Sequence, residues 1–236
     1  MVHRFDLHTH SFFSKDAANA PELLIKAAKN RGLSGMAITD HNSCGAHAYL
    51  RERGLAREDG EAVGGFLVIP GVEVSTAEGH LLCIGTTLPD MLGAPALEVC
   101  NEILSRGGIP IPAHPYDSFR AGIAEHVLDT LPIQNLEVFN AAVSVRSFND
   151  KADEYARRRG LVPTAASDAH HSTAVGVATT ALDIPELTVA AVLQQLRVAT
   201  ELETNYLTFL EGMRKHLGNW FRMFNPRPHM PEGRSE

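Results

Sequence analysis

Apolar residues recur along this chain in two alternating rhythms. Short apolar or every-second-residue runs at 4–7, 35–39, 66–69, 72–75, 81–85, 109–113 and 136–139 read as strands. Between them, apolar positions spaced three and four apart at 21–31, 95–106, 121–131 and 148–159 read as helices. The first of these helices carries Pro21 at its start, where a missing N–H removes no helical hydrogen bond. Repeated strand–helix units favour a parallel sheet, and eight or so short strands over this length favour its closure into a barrel. From about Thr204 the pattern turns helical through Trp220, then gives way to the Pro-rich run Asn225-Pro226-Arg227-Pro228.

Composition narrows the class. The 236 residues suit one large core, and 44% hydrophobic with 21% charged residues is the balance of an ordered globular domain. No apolar run reaches the length of a bilayer span, and the opening Met1-Val2-His3-Arg4-Phe5-Asp6 lacks the stretch of a signal peptide. A cytoplasmic protein with no membrane partner is therefore expected. Cys44, Cys83 and Cys100 are odd in number and far apart, which reads as free thiols rather than a disulfide framework. The formal charge of −7 works against a broad phosphodiester-binding surface, so no stable nucleic-acid complex is expected. Nothing in the sequence specifies an oligomeric state.

Candidate chemistry collects where strands end. His8 and His10 follow the first strand, two residues apart, so both imidazoles can converge on one ion. Asp40-His41 follows the second strand, Glu73 lies in Gly71-Val72-Glu73-Val74, and His80 opens another apolar run. His114 ends the run at 109–113, and Asp168-Ala169-His170 follows Val162-Pro163-Thr164. In parallel β–α architectures such strand ends share one face. Imidazoles and carboxylates gathered there repel one another or stay undersolvated unless cations bind them, so the pattern points to divalent metal. His3, His47, His126, His216 and His229 share no spacing with this set and read as surface or core residues. There is no Gly-x-Ser-x-Gly elbow, Gly-x-Gly-x-x-Gly run or P-loop, which argues against serine hydrolase, dinucleotide and nucleoside triphosphate folds.

The ordered set Asp6-Leu7-His8-Thr9-His10, Thr39-Asp40-His41, Gly71-Val72-Glu73-Val74, His114-Pro115 and Ser167-Asp168-Ala169-His170 resembles the PHP (polymerase and histidinol phosphatase) family of metal-dependent phosphoesterases. The resemblance spans about residues 1–200. It implies a distorted (β/α)7 barrel, with three metal ions at the C-terminal ends of the strands. By the same resemblance, one ion takes His8, His10, Glu73 and Asp168; a second shares Glu73 and adds His80 and His114; a third takes Asp16, His41 and His170. Asp40 is then a partner that orients a ligand. Mixed imidazole and carboxylate ligands suit zinc, manganese and iron alike.

With metals bound, the expected nucleophile is a hydroxide bridging two ions, with Glu73, Asp168 and His170 as the catalytic side chains. Arg120, Arg146, Lys15 and His171 lie close in sequence to ligands or strand ends and are candidate phosphate contacts. Asn140, at a strand end, is a further candidate for binding substrate. The expected reaction is hydrolysis of a phosphate monoester on a small metabolite, nucleotide-like or histidinol-phosphate-like. Alternatives are a nuclease or phosphodiesterase using the same site, and a metal-stabilised binding module without turnover. Residues 1–205 form the expected phosphoesterase-type domain, and 206–236 a C-terminal helix with a Pro-rich tail.

Overall fold

The first strand, β1 (Val2–Asp6), is exposed at its start and buried by Phe5, and β2 (Gly35–Ile38) is buried at every position. A strand with no solvent-facing residue sits mid-sheet, and β2 does so, flanked by β1 and β3 (Leu67–Ser75), both parallel to it. The computed structural model describes residues 1–207, so the expected C-terminal helix and tail lie almost wholly outside the described residues. The remaining strands are β4 (His80–Ile84), β5 (Ile109–Pro112), β6 (Asn135–Asn140), β7 (Val162–Ala166), β8 (Thr179–Asp183) and β9 (Glu201–Glu203). The helices are α1 (Pro21–Asn30), α2 (Gly45–Glu52), α3 (Ala96–Ser105), α4 (Glu125–Leu128), α5 (Ser147–Arg159) and α6 (Val189–Leu196).

Seven strands form one curled sheet in the order β5-β4-β3-β2-β1-β8-β9, while β6 and β7 pair with each other. The β6–β7 pair lies between β5 and β8 and completes a distorted barrel. Thr180 Oγ1 of β8 bridges to β7 by accepting from Ala165 N and donating to Ala165 O. On the other side the alternating prolines of Ile109-Pro110-Ile111-Pro112 explain the missing ladder. Ala113 N donates to His80 O, so the odd residues of β5 face β4, and Pro110 and Pro112 leave the edge toward β6 without donors.

The sheet is mixed, which corrects the expectation of a parallel one with a helix after every strand. β3–β4, β4–β5, β1–β8 and β8–β9 are antiparallel. The runs at 66–69 and 72–75 are one strand that changes partner in the middle: Leu67 to Pro70 pair with β2, and Gly71 to Ser75 with β4. Gly71 is required there, because a Cβ would meet Cys83 O at 2.8 Å and Thr39 Cγ2 at 3.0 Å. Helices α2 and α6 and strands β8 and β9 went unread in the sequence. The helix expected at 121–131 shrinks to Glu125–Leu128, since residues 114–123 form a tight loop with left-handed backbone at His114, Tyr116 and Ala121.

Alternation along the strands divides the core. Leu67 and Ile69 of β3, Leu82 and Ile84 of β4, and Ile109 and Ile111 of β5 point into the barrel and pack on Val192, Leu193 and Leu196 of α6, which floors it. The opposite faces, Val72, Val74, Leu81 and Cys83, pack outward on Val99 and Ile103 of α3 and on Ala152, Tyr155 and Ala156 of α5. Glu73 continues the inward row of β3 beyond Leu67 and Ile69. The barrel is thus apolar at its floor and polar at its upper rim. No helix among the described residues is long and apolar enough to cross a membrane.

Candidate metal centre

Six imidazoles and three carboxylates meet at that upper rim, delivered by β1, β2, β3, β4, β5, β7 and the loops after them. His80 is the exception in placement, because it begins its strand. Since β4 runs antiparallel to β3 with His80 opposite Ser75, its start lies beside the end of β3, on the same rim. His114 and Asp168 both carry left-handed backbone, with φ of 31° and 52°. Two rare conformations at two candidate ligands place backbone strain at this rim.

The innermost group is the tightest. His8 Nε2 stands 3.4 Å from Glu73 Oε2 and 3.6 Å from Asp168 Oδ1, and His10 Nε2 is 3.3 Å from each. The second carboxylate oxygen, Glu73 Oε1, lies 2.9 Å from His80 Nδ1 and 3.3 Å from His114 Nε2. Toward the opening, Asp16 Oδ2 is 2.8 Å from His170 Nε2 and 3.5 Å from His41 Nε2. His41 also turns Nδ1 to Glu73 Oε2 at 2.9 Å, so it joins the outer group to the inner one. All nine side chains singled out in the sequence therefore come together.

The unused nitrogens show which way the rings are held. His8 Nδ1 lies 3.0 Å from Glu137 Oε1, His10 Nδ1 lies 3.1 Å from Ser14 Oγ, and His170 Nδ1 lies 3.0 Å from the Asp168 carbonyl. With Nδ1 donating to those acceptors, each ring turns Nε2 inward. His8 Nε2, His10 Nε2, Glu73 Oε2, Asp168 Oδ1 and His170 Nε2 are buried polar atoms without a hydrogen-bond partner. Orphaned donor atoms of this kind are costly unless a cation satisfies them, and their chemistry fits divalent metal.

Comparison with known proteins agrees. The PHP domain family matches residues 6–87, and the PHP-associated family matches residues 146–200. The chain carries a PHP domain and a PHP-associated segment after it. An uncharacterized protein of Methanocaldococcus jannaschii is 29% identical over 146 residues, covering 58% of this chain and 81% of that one. Among solved structures, a two-domain protein from Bacteroides vulgatus containing a predicted PHP-like metal-dependent phosphoesterase superposes with a TM-score of 0.70 at 16% identity. That match covers 93% of this chain and 70% of the other. The lesion-specific endonuclease Q of Pyrococcus furiosus superposes with a TM-score of 0.65 at 19% identity, over 86% of this chain and 58% of its own.

In this PHP chain the electrostatics follow from burial set against partners. Burial alone would raise the Glu73 carboxyl, but His8, His41 and His114 hold it well below the usual carboxylate range. Asp168 is likewise held low against its burial, by the Arg120 guanidinium, His8, His10 and His170. Burial would lower His8 and His41, yet the facing carboxylates raise both, His41 to about 10. His10 goes the other way: burial and its neighbours His170 and His41 push it well below its ordinary value. The metal-free wall thus holds protons that an incoming cation displaces.

The candidate substrate contacts divide. Arg120, on a single 3-10 turn (Ser118–Arg120), reaches into the site and places Nη2 2.5 Å from Asp168 Oδ2, with Nη1 on the Ala142 carbonyl at 3.0 Å. Asn140 is fully buried. Its amide group donates to Glu137 Oε2 at 2.9 Å and Asp168 Oδ2 at 3.0 Å, while its Oδ1 accepts from Ala142 N and Arg120. All its polar capacity is thereby used, so Asn140 holds the wall rather than a substrate. Arg146 is exposed and lies over the Tyr206 ring at 4.2 Å. Lys15 is exposed beside Asp16, and His171 is half-buried with Nδ1 3.1 Å from Thr173 Oγ1.

Three supporting groups were missed or only half seen in the sequence. Glu137 sits under His8 and His114, and its one sequence signal was a carboxylate inside an apolar strand. Asp6 accepts from Ser167 N, Ser167 Oγ and Gly176 N, fixing the loop that carries Asp168. Asp40 acts through serines: it accepts from Ser11 N, Ser11 Oγ and Ser14 Oγ, and Ser14 in turn holds His10 and the His41 N–H. Of the remaining histidines, His3 bonds Ser34, His47 lies on α2 and His126 on α4; His216 and His229 fall outside the described residues.

Proposed function

We propose that this chain hydrolyses a phosphate monoester on a small metabolite, nucleotide-like or histidinol-phosphate-like, using three divalent ions of zinc, manganese or iron. The observation that carries this reading is the convergence of His8 Nε2, His10 Nε2, Glu73 Oε2 and Asp168 Oδ1, buried and without a hydrogen-bond partner. Those four side chains would hold the first ion; Glu73, His80 and His114 the second; Asp16, His41 and His170 the third. Ions bound there polarise phosphoryl oxygens and acidify water toward neutral pH, which is the chemistry phosphate-ester hydrolysis needs.

The chain's own groups supply position and charge. Glu73 and Asp168 stay ionised despite burial, and each faces two candidate ion positions or an arginine. Together with His170 they form the proposed catalytic set. Arg120 fixes Asp168 and adds a positive charge at the wall, while Lys15, Arg146 and His171 are the proposed phosphate contacts. Three carboxylates against about six positive charges would leave the loaded site cationic although the chain carries −7 overall.

A screen of sugar phosphates, nucleotides and histidinol phosphate after metal reconstitution tests this. Metal-dependent release of inorganic phosphate is expected. Bound metal with no turnover of any compound would instead support a metal-stabilised binding module. A nuclease is the second reading, since the fold is shared with the endonuclease from Pyrococcus furiosus. Turnover of p-nitrophenyl phosphate set against a single-stranded oligonucleotide decides between them, and the negative net charge favours the former. The free thiols of Cys44, Cys83 and Cys100 support a cytoplasmic location. The phosphoesterase unit is taken as residues 1–205, although Tyr206 and Leu207 still pack on it.

A further inference from the structure

Glu137 stands outside the nine rim side chains, 1% exposed on β6, and three donors converge on it. His8 Nδ1 is 3.0 Å from Oε1, while Oε2 accepts from the His114 backbone N–H at 2.7 Å and from Asn140 Nδ2 at 2.9 Å. The orientation of the Asn140 amide is fixed in turn. Its Oδ1 accepts from the Ala142 N–H at 2.9 Å and from Arg120 Nη1 at 3.3 Å, so its NH2 must face Glu137 and Asp168. A backbone N–H cannot reverse either. The position of Oε2 therefore demands an acceptor, whatever residue stands at 137.

We infer that Glu137 is a positioning residue that sets the tautomer of His8, and through it the ability of His8 Nε2 to bind a metal ion. The inference rests on the metal-centre reading above. As an acceptor at Oε1, the carboxylate keeps a proton on Nδ1, so that the neutral, metal-binding form of the ring presents its Nε2 lone pair toward Glu73 and Asp168. Replacement by glutamine preserves shape but not this logic. Its single carbonyl oxygen must take the Oε2 position, because the reverse orientation sets an NH2 against both the His114 N–H and the Asn140 NH2. The glutamine NH2 then faces His8 Nδ1, which must become the acceptor. The ring proton moves to Nε2 and points at the ion position. One carboxylate thereby couples His8, assigned to the first ion, with the backbone of His114, assigned to the second.

The test is zinc binding, read by competition with a chromophoric chelator and by metal content after dialysis, on the wild type, Glu137→Gln and Glu137→Asp. Glu137→Gln should bind zinc about 10–100-fold more weakly than wild type, the usual loss for a changed partner of a ligand histidine. Glu137→Asp, which keeps both acceptor oxygens on a shorter stem, should recover part of that loss. A purely structural role predicts the opposite ranking, because glutamine fills the space and aspartate leaves a gap. Gln binding as tightly as wild type, or more tightly than Asp, would overturn the inference. Should Glu137→Gln fail to fold, the zinc-loaded wild type answers by nitrogen-15 NMR: a hydrogen-bonded proton on His8 Nδ1 is expected, and a His8 ring without one refutes it. A wild type that binds no zinc, manganese or iron removes the metal-centre reading itself, a separate result from a variant that fails to discriminate.

Discussion

Along the wall of the site His8, His10 and Glu73 are at most 1% exposed, and both imidazoles have Nδ1 on a protein partner. At the mouth Lys15, next to Asp16, stands in solvent, and Phe119, one residue from Arg120, is 77% exposed. The wall is set when the chain folds, with rings oriented, carboxylates ionised and supporting oxygens spoken for. The mouth keeps its rotamer freedom, so each of its charges contributes modestly and pays an ordering cost when it engages a ligand. On the proposed reading, the wall supplies chemistry any phosphate ester can use, and the mouth selects which ester arrives. Loop 114–123 joins the two, since it carries both His114 of the wall and the exposed Phe119.

The comparison breaks most severely at Glu73. Glu73→Gln removes a charge that faces five imidazoles, and kcat/KM should fall by orders of magnitude while circular dichroism shows the fold intact. Unchanged turnover would mean that the wall is not the reactive part. Chelation comes next. Stripping divalent ions should abolish activity and lower the melting temperature by about 5–10 °C, as expected when a ligand present at roughly a hundred times its dissociation constant is lost. The sign with pH follows from the wall: His8 and His41 hold protons without metal, so binding releases them and apparent affinity rises with pH. Calorimetry in two buffers of different ionisation enthalpy measures that release, and none at neutral pH would contradict it.

The joining loop should respond at intermediate strength. A Cβ at Gly122 would clash with His114 O and meet Asp117 N at 2.7 Å, both backbone atoms that cannot turn aside. Gly122→Ala should cost about 2 kcal/mol in urea unfolding and about a hundredfold in kcat by displacing Arg120 and His114. A variant with wild-type kcat would uncouple mouth from wall. The smallest effect belongs to the mouth itself: Lys15→Ala should raise KM by about threefold to fivefold, with kcat and metal content unchanged, as for loss of a contact worth under 1 kcal/mol. A fall in metal content would instead assign Lys15 to the wall.

Much of this contrast was legible in the residues. His8, His10, His41, His114 and Asp168 announce themselves because each follows an apolar run that ends at one face of the barrel. Partners of partners did not. Glu137 lies 129 positions from His8 and looks in sequence like one carboxylate in a strand. Asn140 looked available, and only its four filled hydrogen bonds reveal that it is not. The helix expected at 121–131 failed for a similar reason, since apolar spacing cannot register the left-handed residues that fold 114–123 back on itself.

By itself the sequence determined which side chains could ligate metal and that strands would carry them, because residue type and the two-residue repeat are local properties. Only the tertiary structure decided that β4 runs antiparallel and so lifts His80 to the rim, that Arg120 meets Asp168, and which nitrogen each histidine turns inward. Those outcomes depend on strand direction and on hydrogen bonds between residues far apart in the chain. No local pattern encodes them.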